Sequence, residues 1–323
     1  MDSFLVRSSC MTYNHEPYIK EALNGFVIQQ TMFPVVYTIV DDASTDRNAE
    51  MIREFVVENF DSQDTSIAYE KEMEYGHVTF ARHKTNLNCY FAVIYLKENH
   101  YSQRKSKMSY LNVWEDTKYV ALCEGDDYWT DPLKLQKQVD FLESHPDFSM
   151  CFHSAMIKNE TKTRIVTTCD KVQTREYYTN DIFPGWLVPT ASVVYRKGMI
   201  DGHPSLKHPE WAKYGDIVLF LKCTHMGRVW GLEDAMSVYR MTNKGAVLMQ
   251  RNEGDYMRRL CRHYDFLMLN FPQIKHNWPN SFIAQYYYSV MRHPKQPSDV
   301  FLGFWEVLKH QPKLLVKKIL MIK

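Results

Sequence analysis

What the chain lacks bounds it first. No apolar run reaches the ~20 residues needed to cross a bilayer, and the opening MDSFLVRSSC has neither a charged n-region nor a long apolar core, so it does not read as a signal peptide. Internal repeats and low-complexity segments are missing too. The seven cysteines include no Cys-x-x-Cys pair, which argues against a zinc site. Their odd number, without framework-like spacing, points to reduced thiols and a cytosolic, not a secreted, environment. An excess of one charge sign is also missing: 39 Lys and Arg face 38 Asp and Glu, a net charge of +1, so there is no general basic field for nucleic acid. What remains is a chain of 323 residues, 45% hydrophobic, with ample material for one large α/β domain with a C-terminal appendage, or for two small domains.

The richest stretch is Lys118–Leu133, KYVALCEGDDYWTDPL. Tyr119–Cys123 reads as a short strand buried on both faces. Within three residues the character changes to Glu124, Gly125, Asp126 and Asp127. Adjacent carboxylates at the end of a buried strand repel each other and are costly to desolvate, a cost that Mg²⁺ or Mn²⁺ with oxygen ligands offsets. Gly125 allows close backbone approach. Asp131-Pro132 reads as a helix start, and Leu135, Val139 and Leu142 give the helix over Leu133–Ser144 one buried face. The plainer alternative is a solvated acidic turn.

A second acidic strand end precedes it. Phe4–Cys10 reads as a strand, followed by a loop carrying Thr12, Tyr13, Asn14 and Glu16 and a helix over Tyr18–Gln30. Such strand-to-helix loops are where open α/β sheets bind ligands. Tyr13 offers a ring for stacking on a base; Asn14 and Glu16 offer polar edges or, alternatively, helix caps. Val35–Val40 is the next strand, ending at Asp41-Asp42, with Asp46 placed to cap a helix over Arg47–Asn59. A carboxylate at Asp42 can accept a base N–H. Ser66–Lys71 reads as a third strand and then a less regular stretch, and Gln103–Lys107 as a solvated basic loop.

Further on, Phe148–Phe152 reads as a strand, Glu160–Val172 as an exposed hairpin, and Thr190–Arg196 as an alternating strand carrying Thr190 and Ser192. In HPEWAKYGDIVLFLKCTHMGRVW, Ile217–Cys223 reads as an apolar helix with Asp216 as its N-cap or as a base able to deprotonate a sugar hydroxyl; Glu210 and Trp211 are candidates for the same wall. Met236–Arg240 reads as a strand. From Met249 the pattern is helical, through Phe282–Met291 and Asp299–Lys309. The closing KLLVKKILMIK joins four lysines to seven apolar residues, which suits either an interfacial helix or one packed on the body.

The phrase GDDYWTDPLKLQKQVDFLESHP, with the Thr-Tyr-Asn-x-Glu loop, the DD-x-S-x-D segment and the Gly215-Asp216 helix in this order, resembles family 2 of the inverting glycosyltransferases with the GT-A fold, in its bacterial surface-polysaccharide form. The resemblance covers Phe4–Gly245. It implies a Rossmann-like, mostly parallel central sheet flanked by helices over 1–245 and a helical C-terminal region over 246–323. It further implies a UDP-sugar donor, a glycan or lipid-linked saccharide acceptor and a Mn²⁺ or Mg²⁺ cofactor. The cysteines point to a cytoplasmic location, and the closing lysine-rich segment to peripheral contact with the inner face of the cell membrane. By the same likeness Thr12, Tyr13, Asn14, Glu16 and Asp42 hold the nucleotide base, Asp127 binds the metal, and Asp126 reaches the ribose or, through water, the metal. Asp216 is the catalytic base, and Thr190, Ser192, Glu210 and Trp211 lie toward the acceptor. Two departures stand out. Met241-Thr242-Asn243-Lys244 replaces a loop with a His and several Gly, leaving Arg240 and Lys244 as diphosphate candidates, and the glycine usual near His83–Asn88 is missing. Two other classes stay open: a catalytically inactive glycan-binding or scaffold protein of the same fold, and a Mg²⁺-binding receiver-like regulatory domain.

Overall fold

The computed structural model describes residues 4–161, 166–169, 172–183, 187–201, 215–242, 262–263, 266–267, 269–271, 280–292, 294 and 296–320. The chain divides into two compact units, Met1–Pro204 with Phe220–Met241, and Ser205–Leu219 with Thr242–Lys323.

The first unit is a mixed α/β structure. Its strands are β1 (Val6–Thr12), β2 (Val35–Asp41), β3 (Tyr69–Met73), β4 (Gly76–Arg82), β5 (Cys89–Leu96), β6 (Tyr119–Leu122), β7 (Tyr128–Trp129), β8 (Phe148–Asn159), β9 (Val166–Cys169), β10 (Arg175–Tyr177), β11 (Val194–Arg196) and β12 (Arg228–Met241). They form one sheet in the order β10-β12-β8-β11-β6-β1-β2-β5-β4-β3, with β7 paired to β12 and β9 to β8. The central run β6-β1-β2-β5 is parallel. Outside it β8 and β12 also pair in parallel, while the remaining pairings are antiparallel. β2 and β5 are buried along their whole length, as near-continuous apolar strands covered on both faces must be.

Alternation along those strands supplies both cores. Tyr37, Ile39, Phe91 and Val93 pack with α1 (Ile19–Val27), α2 (Asn48–Asn59) and α3 (Lys134–Ser144) on one face. Val36, Val40, Ala92 and Ile94 meet Leu111 and Trp114 of the 3-10 turn Met108–Trp114 on the other. Two strands, β4 and β5, run where an irregular stretch was expected, joined by a turn over 83–88 whose Asn86 and Asn88 side chains bond the carbonyls of Val27, Gln29 and Thr31. The run at 190–196 also differs: Thr190–Ser192 is a 3-10 turn and only Val194–Arg196 a strand. The expected hairpin is present in its described part, β9 lying antiparallel on the end of β8.

Short helices α4 (Thr179–Ile182) and α5 (Lys197–Asp201) follow, then α6 (Gly215–Met226), which starts in the second unit and ends in the first. In the second unit α7 (Asn280–Arg292), α8 (Ser298–His310) and α9 (Pro312–Leu320) pack around Ala284, Val307 and Leu315. Gly303 of α8 makes the closest approach: a Cβ there would lie 2.6 Å from the Tyr287 carbonyl oxygen. No described helix is long and apolar enough to cross a membrane.

Candidate active site

The parallel strands β6, β1 and β2 bring three loops to one sheet edge, their carboxyl ends, and the backbone locks the loops in register. Asp42 N–H donates to the Thr12 carbonyl at 2.9 Å, and Gly125 N–H to the Met11 carbonyl at 3.0 Å. Gly125 is irreplaceable on steric grounds, since a Cβ would stand 2.5 Å from Thr12 Oγ1 and 3.0 Å from His15 Nδ1.

The first two loops are zipped side chain to backbone. Asn14 Oδ1 accepts the Thr45 N–H (2.8 Å) and Glu16 the Arg47 N–H (3.2 Å), while Asp46 accepts the Glu16 N–H (3.0 Å). Asn14 and Ala43 both hold positive φ, 54° and 57°, a conformation that costs energy and marks tightly determined loops. Asn14 and Glu16 therefore cap neither end of α1; they tie one ligand loop to the other. Thr12 is buried, its hydroxyl donating to Asn48 Oδ1 at 3.1 Å. Tyr13 keeps its ring 42% exposed. Asp46 bonds the Asn48 N–H at 3.0 Å, the capping role expected of it.

Asp42 is buried, and its carboxylate is occupied. Oδ1 accepts the His100 N–H at 2.8 Å; Oδ2 accepts the Tyr101 N–H at 3.0 Å and Lys107 Nζ at 2.7 Å. The acceptor capacity expected to meet a base is taken up by the 99–107 loop. Lys107 accordingly leaves the solvated basic cluster, of which 103–106 remain exposed.

At the third loop the two aspartates part. Asp126 is half-buried and its Oδ2 stands 3.9 Å from His15 Nε2. Asp127 is buried; Oδ1 accepts the Arg240 N–H at 2.8 Å, and burial first, then the Asp126 charge, hold its carboxyl well above the ordinary range. Asp127, expected as the metal ligand, is thus the deeper of the two. His15 is a residue that sequence reasoning passed over: its Nδ1 is buried with no hydrogen-bond partner among the described residues, and burial lowers its pKa. Its place between Asn14 and Glu16, in a loop already singled out, was the available signal.

Arg240 is fully buried. Its guanidinium donates to the Asp126 carbonyl (2.6 Å), Glu160 (3.1 Å) and Glu21, and lies over the rings of Tyr18 (4.7 Å) and Tyr128 (4.9 Å). That set of partners makes it the clamp of the acidic turn and leaves no donor facing outward for a diphosphate. Behind the turn, Trp129 Nε1 donates to the Ala191 carbonyl (2.8 Å), and Gln138 Nε2 to those of Ser192 (2.8 Å) and Cys151 (2.9 Å). Lys134 is buried with Nζ 4.2 Å from the Trp129 ring centroid and 2.8 Å from Gln138 Oε1; desolvation pushes its pKa down to about 7. The 190–192 turn is therefore bound to the acidic segment, with Ser192 buried and its hydroxyl given to the Pro189 carbonyl, and Thr190 half-buried.

Asp216 lies inside the first turn of α6, not before it, half-buried, with Oδ1 accepting the Ile217 N–H at 2.9 Å. A carboxylate there is favoured by the helix dipole. Glu210, Trp211 and Lys244 fall outside the described residues. Five cysteines, Cys10, Cys89, Cys123, Cys151 and Cys223, are free and buried, as their spacing suggested.

Among the described residues no group of three or more His, Cys, Asp and Glu forms a ready metal cage. A divalent cation nevertheless fits the third loop. Mg²⁺-type sites commonly use one or two carboxylates and complete the shell with water and substrate phosphate. Two carboxylates crowd together here, and burial together with the Asp126 charge disfavours ionisation of Asp127, a cost that a cation would offset.

No protein-family model matches the chain. The chain is 32% identical over 234 residues to the uncharacterized proteins Rv1520 of Mycobacterium tuberculosis (strain H37Rv) and Mb1547 of Mycobacterium bovis, which covers 71% of this chain and 57% of theirs. It thus spans a little over half the length of these curated relatives. Among solved structures it is similar to S. aureus TarS 1–349 in complex with UDP (15% identity, TM-score 0.47, 94% of this chain and 88% of that one). It is likewise similar to the mannosyltransferase PcManGT from Pyrobaculum calidifontis in complex with GDP-Man and Mn²⁺ (14% identity, TM-score 0.48, 97% and 82%).

Proposed function

We propose that the chain is a metal-dependent inverting glycosyltransferase of the GT-A type, moving a sugar from a UDP-sugar to a hydroxyl of a glycan or lipid-linked saccharide in surface-polysaccharide synthesis. The observation that carries this reading is the convergence of Tyr13, Asp42 and the Asp126-Asp127 pair on one edge of the parallel sheet, where the Asp42 and Gly125 N–H groups bond the Thr12 and Met11 carbonyls.

In this reading Tyr13 presents its exposed ring to the base, and Asp42 serves it by holding the 99–107 loop and Lys107 in place. Asn14 and Glu16 act on the base by fixing the loop that carries Tyr13. Asp126 would reach the ribose or share the cation, and Asp127, one oxygen of which accepts the Arg240 N–H, would hold the cation. The chemistry supplied by Mn²⁺ or Mg²⁺ there is neutralisation of the charge on the departing diphosphate. Asp216 accepts the proton of the acceptor hydroxyl on a carboxylate oxygen while that hydroxyl oxygen forms its bond to the anomeric carbon; the bond from that carbon to the UDP oxygen breaks on the opposite face. Thr190 and the 190–192 turn shape the acceptor side, and Lys244 remains the candidate for the diphosphate.

Calorimetric titration with UDP and Mn²⁺, followed by assay of UDP release across a panel of UDP-sugars, tests the proposal. Metal-dependent UDP binding with turnover of one donor supports it. Binding without turnover of any donor, with or without added saccharide acceptors, favours the inactive glycan-binding class, and absence of UDP binding overturns the nucleotide-sugar reading altogether.

A further inference from the structure

The second unit has an apolar surface that its own fold does not cover. α8 turns Gly303 and Val307 toward α7, and these two are buried. At ~100° per residue five other apolar positions, Val300, Phe304, Leu308, Phe301 and Trp305, fall on a different stripe about 140° wide, with the exposed Leu302 beyond its edge. Every one is exposed, Phe301 by 79%, Trp305 by 64% and Phe304 by 48%. Val316 of α9 adds another exposed apolar side chain, at 59%. An isolated exposed apolar residue needs no explanation, but five on one helix face, two of them Phe and one Trp, do.

Charge decides what covers this face. From Val307 to Lys323 the sequence holds five lysines and no Asp or Glu. Lys309 and Lys313, next to the stripe in the chain, are exposed. We propose that the α8 stripe and the lysines that follow it dock the protein on an anionic phospholipid bilayer, with Phe301, Phe304 and Trp305 at the headgroup boundary and the lysines over the phosphates. Trp and Phe favour that boundary, and no described helix spans it, so the contact is interfacial. A parallel two-fold contact with a second copy through this face would set the lysine-rich segments of the two copies against each other. The inference stands apart from sugar transfer: it requires neither UDP nor a metal.

The test uses the full chain with phosphatidylcholine vesicles, with and without phosphatidylglycerol. Co-sedimentation is expected with the anionic vesicles only, weakening as salt rises. Phe301→Ser with Trp305→Ser, and independently Val300→Ser with Phe304→Ser, should each weaken partitioning by about tenfold or more; so should Lys313→Glu with Lys317→Glu. Val300, Phe301, Phe304, Trp305 and Lys313 are exposed, so thermal melting and UDP binding should be unchanged in the stripe variants. Failure of the full chain to bind anionic vesicles at low salt overturns the proposal, as does binding that the stripe variants do not alter. A concentration-dependent dimer in sedimentation velocity, abolished by the same variants, would assign the face to a second copy.

Discussion

The two acidic strand ends look alike in sequence and are finished in opposite ways. After β2, Asp42 is met by a lysine and two backbone N–H groups, all from the 99–107 loop, so its charge is balanced within the protein. After β6, the Asp126-Asp127 pair receives one backbone N–H and the guanidinium that clamps it, and that guanidinium is shared with Glu160 and Glu21. A lysine stands close behind this turn too, but Lys134 faces the Trp129 ring and Gln138 rather than a carboxylate. The first end is therefore electrostatically complete and suited to reading a neutral base. The second keeps surplus negative charge, a state that calls for an external cation.

The largest expected effect tests the surplus at β6. Asp127→Ala, and Asp126→Ala beside it, should reduce transfer by about a thousandfold or more, the scale of losing a group that stabilises the departing charge. Mn²⁺ should raise the melting temperature of the wild type and not that of Asp127→Ala. Unchanged turnover and an unchanged Mn²⁺ response in both variants would break the comparison.

Next comes the balanced end. Asp42→Ala leaves Lys107 and two buried N–H groups without their acceptor, which should cost about 3 kcal/mol of folding stability. Asp42→Asn keeps an acceptor and should lose less. Denaturant titration measures both. If Asp42→Ala is as stable as the wild type, the 99–107 loop does not depend on this carboxylate and the site is open to ligand.

How much of this was legible in the sequence depends on the range of the contact. Strand β6, the acidic turn and α3 follow from a local apolar run, a glycine and a helix start, and they appear where expected. Asp41-Asp42 at the end of β2 was equally readable. Lys107 lies 65 residues from Asp42, and Arg240 is 113 residues from Asp127, so neither pairing leaves a local signature. β5 was missed for another reason. CYFAVIYL is apolar throughout, and such a run has no period to announce a strand; its partner β2 decides it. Thr190–Ser192 alternates as a strand would, yet it is a turn, because Trp129 and Gln138 use its carbonyls.

A smaller effect separates binding from chemistry and sharpens the distinction between both strand ends and the proposed base. Asp216→Asn keeps volume and side-chain oxygen in the first turn of α6, so stability should change little. Transfer should fall by about a hundredfold while UDP affinity stays near wild type. Should UDP binding fall with activity, Asp216 belongs to the donor side and the base must be sought elsewhere.

The last prediction concerns the lysine behind the acidic turn, which distinguishes the two ends most finely. In the unfolded chain Lys134 titrates near its ordinary 10.5, whereas in the fold desolvation pushes it down to about 7. Between those values the unfolded state binds more protons than the native one, so this group makes stability rise with pH, by up to about 1.4 kcal/mol per pH unit. Below about pH 7 the native lysine is charged as well, and the contribution flattens at its most unfavourable value. Buried tyrosines and cysteines whose pKa values are raised act in the opposite direction at higher pH, so the informative quantity is a difference between two proteins. Lys134→Met keeps the aliphatic length against Trp129 and removes the titration. Denaturant titrations at pH 7, 8 and 9 should therefore show the variant's stability, relative to the wild type, declining as pH rises. A constant difference would mean that Lys134 stays charged in the fold.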